Sequence, residues 1–293
     1  MSFTVLIPCH NDGAYLPRSV GSALAQMEPG DEVLVIDDGS EPAVDLAELN
    51  IEPARCRLLR QPQSGVSAAR NRGVDAASGD YLVMLDADDE LLPGALSRYR
   101  QVIAERAPAW IIAAHEWQVG EERTTRTPDI GHAQPDLFRR FLDKRLHVGN
   151  LSCMCIRTDL AREIRFAEHL RVGEDRVFLC VLMAQHAPLL EPTPCARVHR
   201  RASGSLRSVS SIEDAERSEV YETLFDHPRL PESYQALRKR AEIRHCRSVL
   251  RMAWRQKRAD VYKRWHSKLL RMQPLAACDL KLAWRRLAVG FSR

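Results

Sequence analysis

Four short apolar runs open the chain: FTVLI (3–7), EVLVI (32–36), CRLL (56–59) and YLVML (81–85). They show no polar alternation, the pattern of strands covered on both faces. Helix-like segments separate them. In Tyr15–Met27 the apolar positions Leu16, Val20, Ala23 and Leu24 share a face, and Pro17 sits in a first turn that tolerates it. Val66–Ala77 reads as a second helix, ending near Gly79. The resulting βαβαβαβ order implies an α/β fold with a mostly parallel central sheet and right-handed crossovers.

Polar residues follow each run: His10, Asn11 and Asp12; Asp37 to Ser40; Gln61 to Ser64; Asp86 to Asp89. In an open α/β sheet these positions share one edge, where ligands bind. The last cluster is unusual, because YLVML runs straight into Asp86, Asp88, Asp89 and Glu90. Carboxylates that close repel one another, so a positive charge should offset them. Asp86 and Asp88 can share a hard divalent cation with phosphate oxygens and water. An acidic turn that opens the next helix is the simpler reading of a bare DxD; its place after a buried strand favours the metal. A DxDx[TV] phosphatase loop is excluded by Glu90 and by the position of the motif after the fourth strand.

Beyond residue 95 the expected elements are a helix at Leu96–Arg106, a strand at WIIAA (110–114), a loop over 118–135, a strand at Ser152–Ile156 and a helix at Glu174–His186. Residues 200–211, rich in Ser, Arg and Gly, read as a mobile loop, and helices follow from about Ile212.

IPCHNDGAYLPRSVGSALAQ (7–26), VIDDGS (35–40), SGVSAARNRGVDAASGDYLVMLDADDELLPGAL (64–96) and IRFAEHLRVGEDRVFLC (164–180) together resemble the family-2 glycosyltransferases with the GT-A fold. The resemblance covers residues 1–206 and is densest in the first 96. It implies a nucleoside-diphosphate sugar donor, UDP- or dTDP-linked, a divalent Mn²⁺ or Mg²⁺ ion, and inversion at the anomeric carbon. Asp37 or Asp38 would bond the nucleotide base, with Pro8 lining that pocket; a carboxylate can accept from a pyrimidine N3–H. Arg70 and Asn71 would approach the diphosphate, although Arg70 reads equally as a helix-surface charge. Asp86 and Asp88 would carry the cation, Asp86 also reaching the ribose, with His199 as a third ligand or a diphosphate contact. Arg200, Arg201, Ser203 and Ser205 read equally as a lid over the donor phosphates and as a plain basic loop. Asp175 would be the base for the acceptor hydroxyl and Glu174 the alternative; both also fit a helix N-terminus.

Composition sets the rest. The eight cysteines form no paired CxxC units, so no zinc framework is expected, and a reduced cytoplasmic setting fits. No apolar run is long enough to span a bilayer, and MSFTVLIPCHND shows no secretory signal. Residues 231–293 hold 17 Lys and Arg against 4 Asp and Glu, a net of +13, which leaves −9 for the remainder. The expected division is therefore a catalytic domain at 1–209 and a basic helical region at 210–293. Arg244, Arg247, Arg251, Arg255 and Arg258 recur at helical spacing near Trp254 and Trp265, with Trp284 further on. Three readings stand: peripheral contact with the inner face of the plasma membrane, binding of an anionic acceptor, or a solvated face. For the whole chain the expectation is transfer to a glycan or lipid-linked acceptor in polysaccharide or lipopolysaccharide synthesis. The alternatives are an inactive sugar-nucleotide-binding protein and a nucleic-acid-binding protein; the acidic front half argues against nucleic acid as a partner.

Overall fold

The computed structural model describes residues 1–52, 55–128, 137–143, 148–200, 212 and 219–274. They belong to two compact units, Met1–Ser203 and Gly204–Arg293.

In the first unit the four apolar runs form β1 (Phe3–Cys9), β2 (Glu32–Asp38), β3 (Cys56–Gln61) and β4 (Tyr81–Met84). They pair in parallel in the order β3-β2-β1-β4. Cys9 aligns with Asp37 and Asp37 with Arg60, so three strands end level. The chain steps outward from β1 to β3 and then returns to the other side of β1, which makes a switch point in the sheet. Helices α1 (Leu16–Leu24) and α2 (Val66–Ala76) pack on these strands, α1 starting on Pro17. Gly73 brings α2 down onto β1: a Cβ there would stand 2.1 Å from Leu6 Cδ1. Val5, Ile7, Leu16, Val20, Val35 and Tyr99 share the core, and burying each such side chain contributes about 1.5–3 kcal/mol.

Beyond β4 the sheet becomes mixed, continuing β8-β6-β9-β5, with β7 on β6. The strands are β5 (Glu90–Leu91), β6 (Trp110–Val119), β7 (Glu122–Arg126), β8 (Met154–Arg157) and β9 (Leu189–His199). Helices α3 (Ala95–Arg106), α4 (Leu137–Leu142), α5 (Thr158–Ile164) and α6 (Glu174–Gln185) lie between them. Two sequence expectations change here. The loop expected from residue 118 begins instead as a β-hairpin, in which Val119 pairs with Glu122 across Gly120 and Glu121. All of β7 is exposed, so ERTTR carries no apolar alternation to announce a strand. The sequence also assigns no strand to LLEPTPCARVH, where Pro192 and Pro194 interrupt the pattern; β9 absorbs them beside a register shift against β6.

Seven described cysteines are free and buried, Cys153 and Cys155 on or beside β8 as expected. Burial pushes the Cys153 thiol up to about 12, which leaves it inert.

The second unit contains α7 (Glu219–Phe225), α8 (Arg238–Arg255) and α9 (Ala259–Met272). α8 and α9 pack together through Val249, Leu250, Ala253, Val261, Tyr262, Trp265 and Leu269. No described helix is long and apolar enough to cross a membrane.

Candidate active site at the strand ends

The ends of β1, β2 and β3 enclose a crevice of about 640 Å³ lined by His10, Asn11, Arg60, Gln61 and Gln63 among others. Gly39 shapes its floor: at φ 70° its missing Cβ would lie 2.6 Å from the Gln63 backbone nitrogen. His10 Nδ1 lies 2.8 Å from the Asp38 carbonyl oxygen, which can only accept. The ring is therefore protonated at Nδ1, and Nε2 accepts from the side-chain amides of Gln63 (3.1 Å) and Asn11 (3.2 Å).

The two aspartates expected at the base contact are themselves bonded to the loops beside this crevice. Asp37 is wholly buried and accepts from the backbone N–H groups of Ser40 (2.9 Å) and Val44 (3.2 Å). Asp38, 3% exposed, accepts from Gln61 Nε2 (2.7 Å) and from the N–H groups of Ser64 and Gly65 (both 2.8 Å). Both carboxylates hold the loops that frame the crevice. Pro8 is half-buried on β1 opposite Ile36, and the residues after it, His10 and Asn11, do the lining. The sequence marked the right edge but not which of its polar groups turn inward.

A side-chain cation meets the acidic turn at Asp86. Arg70, on α2, is buried and donates from Nη2 to Asp86 Oδ1 (3.1 Å) and from Nη1 to Glu174 Oε1 (3.0 Å). Its guanidinium carbon lies 5.3 Å from the centre of the Phe166 ring, over its face. Burial works against the charge, but Asp86, Glu174 and Asp175 outweigh it and hold Arg70 more firmly protonated than usual. Burial pushes the Glu174 carboxyl up; Arg70 opposes this, Asp175 adds to it, and the net shift is upward. Arg70 is thus neither a surface charge nor aimed away from the acids. It joins the turn after β4 to the start of α6 and brings Asp86, Glu174 and Asp175 into one electrostatic neighbourhood.

Asn71 is not a diphosphate contact in this geometry. Its amide is buried, donating to the Phe166 carbonyl (2.9 Å) and Glu168 Oε1 (2.8 Å) and accepting from the Phe166 N–H (2.8 Å). It ties α2 to the segment before α6, where Phe166 stacks on Phe178 at 4.2 Å.

Asp86 and Asp88 remain partly exposed, whereas Asp89 turns inward at 1% exposure. Asp89 accepts from Ser152 Oγ (2.5 Å), Asn150 Nδ2 (3.2 Å) and the His199 N–H (3.0 Å). Burial, then Asp86 and Asp88, push its carboxyl well above the ordinary range. Arg18, on α1, donates to the Asp88 carbonyl oxygen. Neither Asn150, Ser152 nor Arg18 carried a sequence signal, because each meets the turn from far away in the chain.

The His199 ring is drawn to Glu90, with Nε2 3.1 Å from Oε1, and Glu90 also accepts from Arg197 (2.8 Å). Burial lowers the His199 pKa, Glu90 partly offsets this and Arg18 adds to it, which favours a neutral ring. Among the described residues no group of three His, Cys, Asp or Glu side chains could hold a metal, so His199 does not complete a cage with Asp86 and Asp88. Of the expected lid, Arg200 is described, its N–H donating to the Gln118 carbonyl (2.9 Å). Arg201, Ser203 and Ser205 lie outside the described residues.

Comparison with known proteins agrees with this architecture. The succinoglycan biosynthesis protein ExoO of Rhizobium meliloti is 28% identical over 213 residues, which is 62% of this chain and 55% of that one. A PGL/p-HBAD biosynthesis glycosyltransferase of Mycobacterium bovis is 36% identical over 115 residues, 38% of this chain and 44% of that one. The chain thus spans about half the length of either. S. aureus TarS 1–349 in complex with UDP-GlcNAc shares the fold at a TM-score of 0.58 and 18% identity, over 85% of this chain and 82% of that one. Residues 4–165 match the profile described as Glycosyl transferase family 2, more than half the chain, and the protein belongs to that family, with its GT-A fold.

Proposed function

We propose that the protein moves a sugar from a UDP- or dTDP-linked donor to a hydroxyl of a glycan or lipid-linked acceptor, with inversion, in cell-surface polysaccharide or lipopolysaccharide synthesis. One observation carries this reading: Arg70 bridges Asp86 to Glu174, so the acidic turn that would meet a diphosphate and the acidic pair that would meet an acceptor share one buried cation. TarS was solved with UDP and with UDP-GlcNAc, and ExoO is named for succinoglycan biosynthesis, which supports the donor and acceptor classes.

The donor set suits a divalent ion. Asp86 and Asp88 present hard oxygens on one half-buried turn, and Mg²⁺ or Mn²⁺ is commonly held by one or two carboxylates with phosphate oxygens and water completing the shell. Such an ion, when bound, stabilises negative charge on a departing diphosphate. The chain's own residues do the rest. His10, Arg60 and Gln63 present hydrogen-bonding groups to a nucleobase in the crevice. Asp175, partly exposed at the first turn of α6, takes the proton of the acceptor hydroxyl as it attacks. Glu174, committed to Arg70, holds the turn and helix in register.

Nucleotide release from UDP-GlcNAc, UDP-glucose and dTDP-rhamnose, measured with Mn²⁺ and with EDTA, tests the reading. Turnover of at least one donor that stops in EDTA is expected, with Asp175→Asn slowing it about 10²–10⁴-fold while UDP binding persists. No turnover of any donor alongside normal UDP binding would favour an inactive sugar-nucleotide binder.

A further inference from the structure

The basic C-terminal helices take no part in that chemistry. Residues 238–274 contain 13 Lys and Arg against only Glu242 and Asp260. Those two acids are already engaged, Glu242 with Arg238 and Asp260 with Arg258, each at 3.3 Å. On α8, Arg240, Arg244, Arg247, Arg251 and Arg255 follow at intervals of four, three, four and four, which confines them to an arc of roughly 80° along about 22 Å of helix. Arg240, Arg247, Arg251 and Arg255 are exposed. The buried residues Cys246, Val249, Leu250 and Ala253 lie on the opposite side. Arg258 is off this stripe, at the start of α9.

Of the two described tryptophans of these helices Trp265 is turned inward, and Trp254, at the edge of the arginine arc, leans on the neighbouring helix. Trp265 is 5% exposed, in edge contact with His245 at 5.2 Å, and Trp254 is half-buried against Tyr262 at 6.3 Å. With the apolar face spent inside the helix pair, α8 has none to insert among acyl chains. Trp284 lies outside the described residues.

We propose that this arginine stripe docks the protein on an anionic phospholipid surface by charge alone, without insertion. Charge complementarity sets the partner: a row of long cations, with Arg247, Arg251 and Arg255 exposed, suits a fluid sheet of monovalent anions, which rearranges to meet any spacing. Nucleic acid fits less well. Bases are held by stacking on open aromatic faces, and among the described residues of these helices Trp265 packs against His245 and Trp254 against Tyr262.

Co-sedimentation of the full chain with phosphatidylcholine vesicles, with and without phosphatidylglycerol, tests this at low and high sodium chloride. Binding is expected only with phosphatidylglycerol, and salt should release it. Each cation at an anionic leaflet is worth about a factor of five, so R247Q/R251Q/R255Q should bind about a hundredfold more weakly. The Arg→Lys triple variant should keep most of the binding, and both variants should melt like the parent. Equal binding to neutral vesicles, or an undiminished glutamine variant, would overturn the proposal. Displacement from the vesicles by duplex DNA at lower phosphate concentration would overturn it in favour of nucleic acid. The readout is partitioning, so it stands or falls separately from sugar transfer.

Discussion

Arg70 shows how one guanidinium can order a site built from distant segments. Asp86 is 16 residues and Glu174 104 residues away in the chain, and the planar fork meets both at about hydrogen-bond length. Removing one member of such a buried set strands the others. Arg70→Ala should therefore lower unfolding free energy by about 3 kcal/mol, toward the low end for buried ion pairs because Asp86 is 29% exposed. Arg70→Lys, with one ammonium for two carboxylates, should recover only part of this. Urea unfolding of the three proteins measures it. A loss under about 0.5 kcal/mol, the range of ordinary surface substitutions, would mean that the clamp carries no load.

The elements beyond β4 depend on contacts of this kind between parts remote in sequence. Glu191, on β9, is buried; it accepts from Arg98 of α3 (2.8 Å) and from the Thr193 N–H (2.8 Å). Burial raises its carboxyl, but the bonds from Arg98 and Thr193 outweigh this and hold it below its ordinary 4.5. A depressed carboxyl stabilises the fold fully above its unfolded pKa, and that contribution is lost as pH falls through the folded value. Glu191→Gln should thus cost about 1–2 kcal/mol at neutral pH, the lower part of the range for charged hydrogen bonds because Arg98 is 33% exposed. The two proteins should converge as pH falls below 4.5; parallel stability curves down to acid would refute the assignment. Such pairings explain what the sequence could and could not convey. β1 to β4, α1 and α2 were legible because burial on both faces or one writes a period into the residues. β7 was not, because an exposed edge strand has no buried face to pattern. The acidic turn and the acidic pair at α6 were legible as local motifs. That Asp37, Asp38 and Asn71 serve loops, that His199 faces Glu90, and that Arg70 joins two motifs were not, because each is decided by a partner far off in the chain.

Across the whole molecule, net charge divides with the fold. The second unit is net basic, while the first, with its excess of carboxylates, would bind a doubly charged anion in the proposed reaction. Arg70 is largely committed to Asp86 and Glu174, so the first unit needs a further cation if the diphosphate is to sit beside Asp86 and Asp88. Donor binding should accordingly be conditional on a divalent ion. UDP at a hundred times its Kd adds about 2.7 kcal/mol to a state that alone binds it. For a unit of this size that is about 5–10 °C in melting temperature. The full shift is expected with Mn²⁺ and UDP together, with little from UDP in EDTA. Asp88→Asn should remove most of the Mn²⁺-dependent part, because it deletes one of the two proposed ligands and leaves the Arg70 clamp in place. GDP should shift the melting less than UDP, since the donor proposed for the crevice between His10 and Gln63 carries a pyrimidine. A UDP shift that ignores both EDTA and Asp88→Asn would place the diphosphate's counter-charge elsewhere, and the acidic turn would then be a structural helix start rather than a cation site.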